Sequence, residues 1–431
     1  MSISQPIQPI VHPEPTLSLR RTRLTIVAMS HTAIDFFSFT VPPLLSVLEG
    51  HLSLSPGQGA FLLGIGSLCN GLVQPLVAWL SDKADTRLFG WLGLLMAIIG
   101  VGFIGYARTY EQLLAIQIMS SVGIGAFHPI AAAAMGSLSG KRRSFGVATF
   151  YCAGMAGGIA GNITAPLWVS HFGGESLGEG LRSIAKLIPP GLVFVVALCW
   201  AIHRVSHRHA GARDAHAALG TAERRSRWRA VWVLYAGNVI RFTVDTALIL
   251  LIVRWTEQLA MTQSGSTELT DSLRQEAARM SGPLQAAKQV GMGVCGLLAG
   301  WWIGPRHEKL ALVVSPIIGA AALLVMPMCT GAWAMVACMV AGIGYGGLVP
   351  VTISLAQRLL PHRTSLASGL MMGGAWAVAS LGAPLAQWSL ERFGIRLAFA
   401  VVAGVSVLAA ATTAFLSQRQ IRAVGSLAEK K

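Results

Sequence analysis

The chain has 431 residues, of which 53% are hydrophobic and only 12% are charged, and its formal net charge is +15. The hydrophobic residues occur in long blocks instead of the short alternation of a soluble core, which excludes an ordinary water-soluble globule and indicates a membrane protein. The basic charge does not require a nucleic-acid partner, because it is concentrated in the breaks on one side of the predicted membrane.

The apolar blocks predict an all-α membrane protein. There are about twelve of them, each near the 20 residues that a helix needs to cross a bilayer. Lipid cannot satisfy free backbone groups, so blocks without alternation are read as helices and not as strands of a barrel. The predicted spans are 24–49, 58–80, 88–107, 111–136, 145–170, 183–203, 229–255, 283–303, 310–328, 332–359, 366–391 and 395–417.

The breaks between the spans predict the orientation of the chain. A proline-rich leader, read as a disordered cytoplasmic tail, precedes a first span that is too long for a cleavable signal peptide. An even number of spans puts both termini on one side, and Lys and Arg are concentrated in the breaks on that side, so we expect a multi-pass protein of the inner membrane with both termini in the cytoplasm. Residues 256–282 are predicted to form an outside loop with a short helix capped by Ser272 and Gln275.

Similar motifs occur in the two halves of the chain. GIGAFHP at 123–129 corresponds to GIGYGGLVP at 342–350, and TAPLWVSHFG at 164–173 corresponds to GAPLAQWSLERFG at 382–394. Two repeated six-helix units are typical of secondary transporters, whose substrate site lies between the units. The predicted organisation is a tail at 1–23, a six-helix half at 24–203, a basic cytoplasmic linker at 204–228, a second half at 229–418 and a tail at 419–431.

Each half begins with two ionisable residues that lie four positions apart on one helix face. These are His31 and Asp35 in the first span and Arg241 and Asp245 in the seventh. Each pair is either a self-neutralising ion pair or a functional group in a cavity, and we favour function because leucine would avoid the desolvation cost. His128 is read either as a core histidine or as a protonatable group at the kink made by Pro129.

Other polar side chains fall inside the predicted spans. Each of these side chains either forms a hydrogen bond to a neighbouring helix or contacts the substrate. Arg241 is the first candidate for meeting an anion, because guanidinium binds carboxylate or phosphonate at two points, and Lys288 is the second, with snorkelling to the interface as its alternative. The other candidate substrate-binding residues are Asn70, Gln74, Gln117, Asn162 and Gln289.

The motifs SHTAIDFF, LSDKADTR and GIGAFHP, with an arginine early in span seven, resemble the major facilitator superfamily, within it the branch typified by bacterial fosmidomycin resistance proteins. This resemblance implies a secondary transporter that works by alternating access, driven in most relatives by protons. Asp82 and Lys83 match the superfamily loop whose acidic residue helps lock the cytoplasmic side, and Arg87 continues its basic pattern. We assign Asp82, Lys83, Arg87 and Pro129 to gating.

The favoured hypothesis is proton-coupled efflux of a small anionic solute or drug, with Asp35, Asp245, His31 and His128 as proton carriers. One alternative is a proton-coupled importer of an anionic metabolite. Another is a divalent metal exporter that uses His31, Asp35 and His128. An intramembrane enzyme is disfavoured because HExxH is absent from the sequence and because the two repeated halves give alternating access a physical basis, and no nucleotide-binding motif or cofactor is expected.

Overall fold

The computed structural model describes residues 17–81, 84–140, 143–203, 205, 220–361 and 363–422. Across these ranges the chain forms α-helices, short 3-10 turns and one turn of π-helix, and no strand. The all-helical fold predicted from the apolar blocks is therefore confirmed. The predicted gating residues Asp82 and Lys83, most of the predicted linker and the outer parts of both predicted tails lie outside the described residues.

The helices are numbered here in chain order. The first group is α1 Leu17–Ser38, α2 Leu45–Leu52, α3 Pro56–Ser81, α4 Arg87–Gly102, α5 Tyr110–Ser139, α6 Arg143–Gly173, α7 Leu177–Arg182 and α8 Ile188–Ile202. The second group is α9 Thr221–Ser264, α10 Asp271–Trp302, α11 Glu308–Val325, α12 Gly331–Tyr345, α13 Val349–Leu359, α14 Thr364–Gly369, α15 Ala375–Ala379 and α16 Gly382–Ala414. The π-helical turn Leu370–Gly374 joins α14 to α15.

Length and composition identify helical runs that can cross a bilayer. In the described ranges, eight runs are long and apolar enough, and α4 is a shorter apolar helix. The chain is therefore a multi-pass membrane protein. The eight runs are Leu17–Leu52, Pro56–Ser81, Tyr110–Ser139, Leu177–Ile202, Thr221–Ser264, Glu308–Met328, Gly331–Leu359 and Leu366–Ala414.

Small residues allow the helices to pack closely. A Cβ atom at Gly157 of α6 would lie 2.1 Å from the carbonyl oxygen of Thr32 in α1. A Cβ atom at Gly342 of α12 would lie 2.1 Å from the carbonyl oxygen of Lys288 in α10. Glycine at these two positions lets backbones approach to distances that any side chain would prevent, as is common between membrane helices.

Two sets of contacts join the first group of helices to the second. Helix α6 packs along α10, where a Cβ atom at Gly158 would meet the Gln289 side chain. Helix α3 packs against the π-helical turn and α15, where a Cβ atom at Gly71 would meet the backbone of Ala377. At these two seams, α6 lies next to α10 and α3 lies next to α15. Several of the polar side chains predicted to bind substrate are on these helices.

The predicted outside loop over 256–282 is wrong. Helix α9 continues to Ser264 and α10 begins at Asp271, so only a short turn separates them. The cap is not at Ser272 or Gln275: the side chain of Thr270 accepts the hydrogen bond from the backbone of Leu273. The stretch is helical despite its polar composition because Ala260, Leu273 and Ala277 bury a small apolar cluster between the two helices.

Helix boundaries also differ from the predicted ones near the tails. Helix α1 begins at Leu17 and α9 at Thr221, so both extend beyond the apolar spans into basic sequence. Arg20 in the first turns of α1 donates a hydrogen bond to the carbonyl oxygen of Leu138 near the end of α5. Basic residues in such positions extend a helix into the polar interface, which hydrophobicity alone does not detect.

Candidate functional site

Three of the predicted proton-carrying residues form one cluster between α1 and α5. Nε2 of His31 lies 3.4 Å from Oδ2 of Asp35, and Nε2 of His128 lies 3.3 Å from Oδ1 of the same carboxylate. The side chains of His31 and Asp35 are buried, and that of His128 is 18% exposed. The spacing of His31 and Asp35 places both on one helix face, and packing of α5 against α1 adds His128.

The other ring nitrogen of each histidine contacts a backbone carbonyl. Nδ1 of His31 lies 2.7 Å from the oxygen of Phe150, and Nδ1 of His128 lies 2.7 Å from the oxygen of Ile124. A carbonyl oxygen only accepts, so Nδ1 carries the hydrogen in both rings. In the neutral rings Nε2 then presents a lone pair to Asp35.

The walls of the cluster fix the ring positions. The imidazole of His31 stacks on Phe150 of α6, with 3.8 Å between ring centroids and 19° between planes. A Cβ atom at Gly154 of α6 would lie 2.4 Å from Cε1 of His31 and 2.6 Å from Oδ2 of Asp35. Helix α6 therefore closes one side of the cluster, and only glycine leaves room for both side chains.

A second cluster lies within the second group of helices. Nζ of Lys288 donates to Oδ1 of Asp245 at 2.8 Å, and the hydroxyl of Tyr345 donates to the same oxygen at 2.7 Å. All three side chains are buried. Snorkelling of Lys288 to the interface is therefore wrong, because Lys288 lies in the interior of α10 with its charge paired. Sequence reasoning missed Tyr345, although it had noted the glycine-rich stretch around it.

Arg241 does not pair with Asp245, so the ion pair considered for these two residues is not formed in the part of the chain that the structure describes. Its Nη2 donates to the carbonyl oxygen of Leu312 in α11 at 2.6 Å. Its Nε and Nη1 have no hydrogen-bond partner among the described residues, although the side chain is fully buried. A buried guanidinium with free donors retains the capacity to bind an anion.

Sequence reasoning missed a third network, which joins the two groups of helices. Arg254 of α9 contacts both oxygens of Glu49 in α2 at 2.6 and 2.7 Å, and it also contacts Glu257 at 3.0 Å. Nε of Arg254 donates to Gln387 of α16 at 3.0 Å. The signal in the sequence was weak, because Glu49 and Arg254 each lie at the end of an apolar block, where charges are common.

The sequence matches the Major Facilitator Superfamily over residues 27–380 and again over residues 286–430. The chain belongs to this superfamily. It is 21% identical to the fosmidomycin resistance protein of Escherichia coli over 418 residues, which cover 95% of this chain and 97% of the relative. It is 20% identical to YfnC, an uncharacterised transporter of the superfamily from Bacillus subtilis, over 93% of this chain and 94% of the relative.

Solved structures of superfamily transporters share the fold. A bacterial homologue of the human lysosomal transporter Spinster, in an inward-facing unoccupied conformation, gives a TM-score of 0.73 at 16% identity and covers 95% of this chain and 99% of its own. A POT peptide transporter in complex with sulfate gives 0.69 at 16% identity and covers 94% and 95%. The prediction of a transporter and not an enzyme is confirmed, because the relatives and structural neighbours are transporters.

The other residues predicted to bind substrate are spread over several helices. Nε2 of Gln74 donates to Oδ1 of Asn70 at 3.0 Å within α3, beside the π-helical turn. Gln117 and Asn162 are buried, and one side-chain oxygen of each has no hydrogen-bond partner among the described residues. Gln289 contacts the sulfur of Met155 across the seam between α6 and α10. In the described part of the chain, no hydrogen bond joins any of these five residues to His31.

Two of the predicted gating residues, Arg87 and Pro129, lie within the described ranges. Arg87, the first residue of α4, pairs with Asp85 in the turn just before the helix, so its contact is local. Pro129 lies inside α5 directly after His128, and the helix continues through it to Ser139. A proline there removes one backbone hydrogen bond from the turn that carries His128.

Proposed function

We propose that the protein exports a small anionic solute or drug across the inner membrane by proton-coupled alternating access. The observation that carries the proposal is the cluster of His31, Asp35 and His128, in which two imidazoles face one buried carboxylate. Membership of a transporter superfamily supports the general activity. The relative named for fosmidomycin resistance supports export of a drug-like anion.

The chemistry of the cluster supports proton binding. With both Nδ1 atoms donating to carbonyls, two Nε2 lone pairs face the oxygens of Asp35 at 3.3 and 3.4 Å. An ionised carboxylate and two lone pairs repel one another in a low-dielectric interior, so a shared proton stabilises the group. Histidine has an ordinary pKa near neutrality, which suits a proton carrier that loads on one side and unloads on the other.

The proposed architecture is twelve spans in two six-helix halves, with the first half at 24–203 and the second at 229–418. Arg254 of the second half pairs with Glu49 of the first, at the end opposite the first turns of α1. Both termini are proposed to be cytoplasmic, so this network would close the outer side. Asp82, Lys83, Arg87 and Pro129 remain the proposed gating residues of the cytoplasmic side.

Anion binding is proposed for Arg241 and Lys288. Lys288 is neutralised by Asp245 at 2.8 Å, so protonation of Asp245 would release the ammonium for an anionic solute. Competition of this kind between a proton and a substrate charge is one way to couple their movements. Asn70, Gln74, Gln117, Asn162 and Gln289 are proposed to contribute hydrogen bonds along the path.

The test uses purified protein in liposomes with an imposed pH gradient. Fosmidomycin and small organic anions are the probes, and their movement is measured with the gradient in either direction. We expect movement opposite to the proton flow that is lost in Asp35→Asn and kept in Asp271→Asn, a matched change at the exposed start of α10. Movement with the proton flow would make the protein an importer, and gradient-independent movement would overturn proton coupling.

A further inference from the structure

We infer that His31, Asp35 and His128 form a binding site for one divalent transition metal ion of the zinc class. The three residues are the group of potential metal ligands that the described ranges bring together, with their ligand atoms all within 4.8 Å of one another. Two imidazole nitrogens and one carboxylate oxygen are ligand types that suit zinc and its neighbours.

The distances between the two imidazole nitrogens and the carboxylate of Asp35 match a metal coordination shell better than they match hydrogen bonds. Nε2 of His31 and of His128 lie 3.4 and 3.3 Å from the oxygens of Asp35. A charge-assisted hydrogen bond between nitrogen and carboxylate is shorter, at about 2.7–2.9 Å. Around a tetrahedral zinc ion with bonds of about 2.0–2.1 Å, neighbouring ligand atoms are about 3.3–3.4 Å apart. The distance from each imidazole to Asp35 is therefore that of a coordination shell, and the ligand atoms of all three residues lie within 4.8 Å of one another.

The hydrogen bonds behind the rings are those of metal-binding histidines. Nδ1 of His31 donates to the oxygen of Phe150, and Nδ1 of His128 donates to the oxygen of Ile124, both at 2.7 Å. Such a bond fixes the tautomer, aims Nε2 and raises its basicity as a ligand. Stacking of His31 on Phe150 holds the first ring in that orientation.

Three protein ligands leave one tetrahedral position open. The His128 side chain is 18% exposed whereas those of His31 and Asp35 are buried, so we expect an ion to enter beside His128. One carboxylate balances half of a dication, so the bound ion would keep a positive charge and favour an oxygen anion as its fourth ligand. The ion would also hold α1 and α5 together through Asp35 and His128.

The site has a consequence for transport, and this consequence rests on the proposed function. A metal ion would occupy the lone pairs that are proposed to take the coupling proton. Zinc would then inhibit gradient-driven movement in the wild-type protein. Binding itself does not depend on any transport activity.

The test measures binding of Zn²⁺ and Co²⁺ to the full chain in detergent, without an affinity tag. We expect one equivalent bound at micromolar or lower concentration, a rise in melting temperature with Zn²⁺, and the intense visible absorption of four-coordinate Co²⁺. Affinity should fall at least tenfold in His31→Gln, Asp35→Asn and His128→Gln. Gly154→Ala should weaken binding as well, because its Cβ would displace His31 and Asp35 while every ligand remains.

Two controls make the outcome decisive. Replacement by serine of His203 and of the histidines of the predicted linker, His207, His209 and His216, should leave the bound equivalent and the Co²⁺ spectrum unchanged. Melting curves without metal show whether each variant keeps the fold, and a folded Gly154→Ala protein keeps the test valid if a ligand variant unfolds. Millimolar affinity in the wild type, or equal affinity in the folded ligand variants, would overturn the site.

The two proposals fail separately. Metal binding that is lost with the ligand variants, in a protein that moves no anion with the gradient, would refute proton-coupled anion transport and keep the metal site. Gradient-driven transport in a protein that binds no Zn²⁺ would refute the metal site and keep the proposed function.

Discussion

Arg254 and Glu49 form a two-point ion pair across two helices that are far apart in the sequence. Nη2 of Arg254 lies 2.6 Å from Oε1 of Glu49, and Nη1 lies 2.7 Å from Oε2. Both side chains are buried, and Glu257 and Gln387 occupy other donors of the same guanidinium. An ion pair with two parallel hydrogen bonds is strong and also restricts the relative orientation of its partners. The network therefore fixes the orientation of α2 against α9.

Glu49→Gln should weaken the closure of this end of the molecule. Loss of one partner of a buried pair costs about 3–5 kcal/mol, and we expect the low end because Glu257 still pairs with Arg254. Spin labels at the exposed residues Ser55 and Thr262 would report a longer and broader distance distribution. Glu268→Gln, which changes an exposed acid, is the matched control. An unchanged distribution in both variants would show that the pair does not hold this end closed.

Lys288→Met should destabilise the protein more than removal of both charges. The single change leaves Asp245 buried with only the hydroxyl of Tyr345, and an uncompensated buried charge costs about 3–5 kcal/mol. Lys288→Met combined with Asp245→Leu removes both charges and should recover most of that loss. Denaturation of the wild type, both single variants and the double variant in detergent gives the coupling energy. Additive effects would contradict a direct pair at 2.8 Å.

Gly154→Ala and Gly300→Ala make a matched pair in different surroundings. The new methyl group at 154 would lie within 2.6 Å of atoms of both His31 and Asp35, whereas at position 300 no other part of the described chain would lie within 4 Å of it. We expect Gly154→Ala to abolish gradient-driven transport. Gly300→Ala should keep transport and gain up to about 1 kcal/mol, because alanine is the better helix former. Equal transport by the two variants would show that the cluster of His31 does not serve coupling.

Hydrophobicity and helical spacing predicted part of the molecule. The all-helical fold follows from block length, and the juxtaposition of His31 and Asp35 follows from four-residue spacing on one helix. His128 joined them through packing of α5 on α1, which no local pattern encodes. Glu49 and Arg254 lie 205 residues apart, and each ends an apolar block, so nothing local marked them as partners. Lys288 was predicted to lie near the outer end of the span 283–303, because residues 256–282 were predicted to form a loop.

Gly394→Ala should destabilise the protein, although its surroundings are open. Gly394 has φ of 74° and ψ of 172°, a backbone conformation that is nearly confined to glycine, and it breaks the axis of α16. A side chain there would cost about 1–3 kcal/mol without any clash, because no other part of the described chain lies within 4 Å of its Cβ position. Gly404→Ala, also in open space but with ordinary helical geometry, should be neutral or slightly stabilising. The melting temperatures of the two variants are measured in the same detergent. Equal melting temperatures would mean that the break in α16 at residue 394 does not require a positive φ.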